Sequence, residues 1–218
     1  MKQFLFLLLL SLAAIAPAQE SNLGNWLIYF GDKKIDARWN WHHEAQYRNY
    51  NAIGDLEQLL LRTGIGYNLT ENNNNVLLGY AYILSRNYAA DNETTSISHE
   101  NRIFQQFITR QRIGRVHLLH RYRFEQRFFK TAFELRFRYF LALNLPLNNP
   151  EMTDRTFYLS SYNEIFINGQ NEPFDRNRLY GGLGYRLNDA LRFELGYMNQ
   201  FLADGGRDQI NVITFFNF

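Results

Sequence analysis

Four stretches of this chain, each eleven or thirteen residues long, largely alternate polar and apolar side chains. They are Arg38–Arg48, Arg115–Arg127, Ala132–Asn144 and Leu191–Phe201. A helix repeats every 3.6 residues and cannot hold such a pattern, whereas a strand turns successive side chains to opposite faces. The stretch His120–Phe128 reads HRYRFEQRF. Arg121, Arg123, Glu125 and Arg127 share one face, while Tyr122, Phe124 and Phe128 share the other. In the next stretch Glu134, Arg136 and Arg138 oppose Phe133, Leu135, Phe137 and Tyr139.

The same reading extends along the chain. It predicts strands near 25–30, 37–48, 57–67, 75–88, 100–112, 115–128, 131–144, 155–167, 176–187, 190–202 and 209–218. Strands in soluble sheets average about 5–6 residues, whereas strands that cross a bilayer need about 9–11. Ile113-Gly114 and Asn188–Ala190 read as tight turns. Ala89–His99, Asn168–Asp175 and Ala203–Asp208 read as longer polar loops. Short turns at one end and longer loops at the other are expected of outer-membrane barrels. The segments around Gly64–Gly79 and Gly182–Gly196 repeat a GxGY pattern, with glycines on the polar face that leave room for large side chains from across a lumen.

Residues 1–18 read as a signal peptide rather than as part of the fold. Lys2 is followed by the apolar run Phe4–Leu10 and then by Ala16-Pro17-Ala18, a small-x-small cleavage pattern. The remaining 19–218 form one barrel domain, exported without a single cysteine and so without disulfides. The whole chain carries 23 basic and 21 acidic residues, too balanced for a surface built to hold nucleic acid. Nineteen of the basic residues are arginines, the cation suited to multi-donor pairing.

Alternation alone fits either a small soluble barrel with aromatics inside or a membrane barrel with arginines inside. Three features favour the membrane barrel. One is strand length. Another is the C-terminal strand, where Ile210, Val212, Thr214, Phe216 and Phe218 share a face and the chain ends in phenylalanine. This resembles the terminal signal that the barrel assembly machinery reads, with Phe218 as its last residue. The last is charge pairing. A loop at Lys130-Thr131 sets Arg127 opposite Glu134 and Glu125 opposite Arg136, avoiding like charges face to face. A loop at Ile113-Gly114 sets Arg102 opposite Glu125, Glu100 opposite Arg127 and His117 opposite Arg110. An arginine on the lipid face at the bilayer midplane costs about 2–4 kcal/mol, so arginines of a membrane barrel point inward. The candidate lumen network is Arg102, Arg121, Arg123, Glu125, Arg127, Glu134, Arg136, Arg138, Glu164 and Arg178. Inward arginines 110, 112, 186 and 192 join them.

The blocks NWLIYFG (25–31), RTGIGY (62–67), HRYRFEQRF (120–128), RFRYF (136–140), YNEIFIN (162–168) and RLYGGLGY (178–185) resemble a family of Gram-negative outer-membrane barrels known as domain of unknown function 2490. The resemblance covers almost the whole mature chain. It implies the membrane-barrel fold and a location in the cell outer membrane, and it implies no activity or catalytic residue.

An all-β, antiparallel up-and-down barrel of ten strands is expected, because single-chain bacterial barrels favour even counts. Trp26–Phe30 is then the segment left over, tucked inside or against the periplasmic end, and twelve strands is the alternative. Three functions remain open. The first is a non-enzymatic barrel with a filled, charged lumen and a binding or structural role in its outer loops. The second is a narrow passage for small anions or acidic saccharides, and so a small anionic ligand. The third is an enzyme acting on outer-membrane lipid, which has only His99 beside Glu100, and His42 with Glu44, to offer. No metal, phosphate-loop or dinucleotide motif calls for a cofactor.

Overall fold

The computed structural model describes residues 23–51, 54–70, 73–89, 94–170 and 172–218. The signal-peptide expectation for residues 1–18 lies outside them. Eleven strands follow one another: β1 (Leu23–Lys34), β2 (Trp39–Asn49), β3 (Leu56–Asn68), β4 (Asn75–Tyr88), β5 (Thr95–Ile113), β6 (Val116–Phe128), β7 (Phe133–Pro146), β8 (Thr156–Asn168), β9 (Phe174–Arg186), β10 (Leu191–Leu202) and β11 (Gly205–Asn217). They close into one barrel in chain order. Every neighbouring pair is antiparallel except the seam, where β1 runs parallel to β11 from Leu23↔Asp208 to Asp32↔Asn217.

The strand positions match the alternation, and the count is eleven rather than ten. The segment that sequence logic left over, Trp26–Phe30, lies inside β1, a full member of the wall. Its outward Leu27 and Tyr29 and its inward Trp26, Ile28 and Phe30 are all apolar or aromatic, so the segment carries no polar-apolar alternation to reveal it. The inward set packs on Tyr180, Met198 and Ile213, giving the lumen one apolar arc. An odd number of up-and-down strands leaves the first and last running the same way, so closure has to be parallel.

The connections correct a second expectation. One end of the barrel carries the links 50–55, 89–94, 129–132, 169–173 and 203–204, and the other carries 35–38, 69–74, 114–115, 147–155 and 187–190. The longest link belongs to the second end, which also holds the C-terminus. These are called the loop end and the turn end below. The predicted loop at 89–99 is shorter because β5 begins at Thr95, which places His99 on a strand. In the link 35–38, Asp36 accepts hydrogen bonds from the amides of Arg38 (2.7 Å) and Trp39 (2.8 Å). Those two donors hold its carboxyl below the usual aspartate range.

One hairpin register differs and one agrees. Between β5 and β6 the turn is Gly114-Arg115, with Ile113 opposite Val116, two residues away from the register expected. Gly114 has φ +58°, and Arg115 is not among the residues with positive φ. A turn with glycine at its first central position is the type II′ that suits the twist of a hairpin. Arg102 therefore faces Arg127, Phe104 faces Glu125, and His117 faces Arg112. Between β6 and β7, Arg127 faces Glu134 and Glu125 faces Arg136, as the avoidance of like charges requires. A shift by two residues keeps every side chain on its face, so the lumen set is unaffected.

Candidate functional site: the arginine-lined interior

All ten residues of the candidate network point into the barrel, and ion pairs join them into one lattice. Glu125 is fully buried and is its hub. Its two carboxylate oxygens take Arg136 (2.7 Å) and Arg138 (2.7 Å), with Arg123 and Arg102 at 3.8 and 3.9 Å. Glu164 takes Arg121 (2.7 Å) and Arg138 (2.6 Å), with Arg178 at 3.8 Å. Arg127 bridges Glu100 (2.6 Å) to Glu134 (2.6 Å). Arg102 binds the same Glu100, and Arg136 reaches Asp175 at 2.9 Å. Arginines directly opposite one another, such as Arg123 and Arg138, are tolerated because Glu125 lies against both.

Arg48 and Arg62 are members that the sequence reading left out of the interior. Glu44 pairs with Arg62 and Gln46, and it stands 3.7 Å from His42, whose other nitrogen contacts Asp32 at 3.1 Å. Arg48 and Arg178 both lie over the Trp26 ring, at 3.8 and 4.7 Å. Glu194 accepts from the hydroxyls of Tyr158 (2.8 Å) and Ser160 (3.0 Å). The parity of β2 and β3 would have found Arg48 and Arg62, but the Trp26 stacking depends on β1 being in the wall. Of the arginines expected inside, Arg112 is not in the lumen: it bonds the Gly114 carbonyl and Glu151 at the turn. His99 faces outward and bonds the Tyr82 hydroxyl, away from the interior. No group of three or more metal-binding side chains occurs among the described residues.

The glycines do what the repeat implied. A Cβ at Gly184 would run into the Tyr158 ring, one at Gly196 into Tyr180, and one at Gly79 into Phe104. Each ring lies across a neighbouring strand's glycine and fills the barrel.

Space remains. A cavity of about 1620 Å³ is lined by side chains from both ends, among them Asn68, Arg186 and Phe218 at the turn end and Glu57, Ser98 and Phe129 at the loop end. Fourteen arginines and seven carboxylates line it, so its wall is cationic. At mid-barrel the packing is close: Glu125 and Phe104 are 0 % exposed, Arg123 and Glu164 3 %.

The outer face is different in kind. Its formal charges on the strands, among the described residues, are Lys33, Arg86 and Asp208, all near strand ends. Between them stand side chains such as Leu61, Ile65, Leu78, Tyr122, Phe137, Leu183 and Leu195, each at least 45 % exposed. Exposed aromatics ring both ends: Trp39, Trp41, Phe157, Phe193 and Phe218 at the turn end, and Tyr47, Tyr88, Phe128, Phe133 and Phe174 at the loop end.

A family model described as a protein of unknown function, DUF2490, matches residues 23–211. An uncharacterised protein of Methylorubrum extorquens is 30 % identical over 200 residues, which cover 86 % of this chain and 81 % of the relative. No solved structure matches. The matched span runs from the first residue of β1 into β11, and so takes in nearly the whole barrel and its arginine lattice: the chain belongs to the DUF2490 family.

Proposed function

We propose that this protein is an outer-membrane barrel with no catalytic role, whose cationic interior receives a small anion. The observation that carries this is the sidedness of the wall. The wall as a whole separates an outer surface without mid-strand charge from an interior lined by fourteen arginines, interrupted by the apolar arc of β1. Aromatic girdles at both ends fit two membrane–water interfaces. Such an outer surface is an oversized apolar patch for a soluble protein. The connections are short, so a binding role falls to the lumen more readily than to the loops. Among the described residues no serine is hydrogen-bonded to a histidine: Ser160 donates to Glu194, and His42 lies between Asp32 and Glu44.

Two readings of the lumen follow. The close-packed middle favours a barrel that binds and does not conduct. The cavity lining that reaches both mouths favours a narrow anion passage. Membrane fractionation and single-channel recording in planar bilayers test both. Release from membranes by detergent but not by salt is expected, and release by salt alone would remove the membrane assignment. A silent bilayer from folded protein supports the binding reading, and a steady anion-selective current supports passage. A cation-selective current would refute both.

A further inference from the structure

Two arginines near the turn end face the cavity without a carboxylate of their own. Arg192 on β10 lies over the Phe215 ring at 3.9 Å. The carboxylate closest to it is Glu194, at 4.0 Å from Nε, and both Glu194 oxygens already accept hydrogen bonds from Tyr158 and Ser160. The Arg192 Nε is buried and unpartnered. Arg110 comes from β5, on the far side of the barrel, and its side chain makes no hydrogen bond or ion pair among the described residues. Its strongest charged neighbours are Asp32, which attracts it, and Arg192, which repels it. Asp32 in turn is held by Asn40 (2.9 Å) and His42 (3.1 Å). Two guanidinium groups thus line the same cavity from opposite walls near its turn end, each beside a carboxylate that is engaged elsewhere. Apolar side chains stand beside each of them: Leu119 directly opposite Arg110, and Phe215 under Arg192 with Phe30 stacked on it, although Arg186 also lies directly opposite Arg192.

Like charges left facing one another across an accessible space are stabilised by an anion between them. The planar donor fork of arginine matches an oxyanion in two-point fashion. Rings and aliphatic side chains beside it suit an apolar body. We propose that Arg110 and Arg192 form a clamp for an organic oxyanion, a carboxylate or phosphate monoester carried on a small apolar group, entering from the turn end. This rests on the reading of the lumen as an anion-receiving space and names the site and ligand class within it.

Calorimetry on the refolded full chain in detergent tests the clamp, with phenyl phosphate, benzoate, inorganic phosphate and phenol as probes. Phenyl phosphate or benzoate is expected to bind, and whichever binds more tightly identifies the oxyanion. Inorganic phosphate is expected to bind more weakly, and phenol not at all. Arg110→Gln and Arg192→Gln should each weaken binding by about tenfold or more, the loss typical of a charged hydrogen bond. Arg112→Gln, at the exposed turn, should change it by less than about twofold. Arg110→Lys keeps the charge without the fork and should fall between wild type and Arg110→Gln. Heat-modifiable migration of each variant on gels reports that the barrel has formed. Absence of binding by either aromatic anion, or equal binding by the two glutamine variants and wild type, would overturn the clamp. Affinity for inorganic phosphate equal to that for phenyl phosphate would overturn the apolar part of the site. A conducting bilayer combined with no binding would remove the clamp and leave the anion-receiving lumen standing, whereas binding to a non-conducting barrel would support both.

Discussion

Glu125 shows what a single side chain does in this interior. It is fully buried, and its two oxygens hold Arg136 and Arg138 from the adjacent strand. A buried pair is not by itself a source of net stability, since desolvation offsets much of the attraction. Removing one partner is a different matter, because the other charge stays behind. Glu125→Gln is therefore expected to destabilise the barrel by about 3–5 kcal/mol. Glu151→Gln, which breaks the exposed pair with Arg112, should cost at most about 1 kcal/mol. Urea unfolding of both variants in the same lipid vesicles measures the difference, and equal losses would refute the hub role of Glu125. That Glu125 faces inward opposite Arg136 was legible from the sequence, because parity and the avoidance of like charges both required it. That it also serves Arg138 was not. Arginine reaches diagonally past its direct neighbour, so direct opposition does not list its partners.

At the level of the strand, period-two patterning carried nearly everything. Its faces held even where the register moved by two residues, as between β5 and β6. The error there came from the turn: glycine occupies the first central position, and the expected register offered complementary pairs, Arg102 with Glu125 and Glu100 with Arg127, where the observed one sets Arg102 opposite Arg127. The glycines of β9 and β10 are a second strand-level device. Gly184 lies under the Tyr158 ring, and no flexible side-chain tip is available there to give way. Gly184→Ala should destabilise by about 1–3 kcal/mol through overpacking. Adding Tyr158→Leu should recover part of that loss, even though Tyr158→Leu is harmful alone. Unfolding midpoints of the three variants form a double-mutant cycle, and strict additivity would show that the ring and the glycine are not in contact.

For the whole molecule the parallel seam has a topological consequence. β1 begins at the loop end, where Asn25 pairs with Asn49, while β11 finishes beside Asp32 at the turn end. The described chain therefore enters and leaves at opposite ends. If Phe218 faces the periplasm, as the proposed assembly signal requires, the loop end faces outward. The absence of cysteine makes this measurable. A membrane-impermeant maleimide added to intact cells should label Lys130→Cys in the 129–132 link. It should not label Asp154→Cys in the 147–155 link until the outer membrane is permeabilised. The reverse pattern would invert the barrel and put the Arg110–Arg192 clamp at the cell surface.

The sequence by itself determined that this chain forms long strands with one charged and one apolar face, because alternation is written residue by residue and needs no knowledge of neighbours. For the same reason it placed most of the arginines and glutamates of the interior, though it put Arg112 there wrongly and passed over Arg48 and Arg62. Only the tertiary structure decided how many strands close the wall. Closure depends on which edge meets which, and β1, whose segment Trp26–Phe30 is apolar on both faces, announces itself as wall only once β11 lies beside it. Only the tertiary structure, likewise, decided which carboxylate serves which arginine. In a narrow lumen long side chains meet across strands far apart in the chain, and Arg110 and Arg192 line one cavity only because the sheet has curved back on itself.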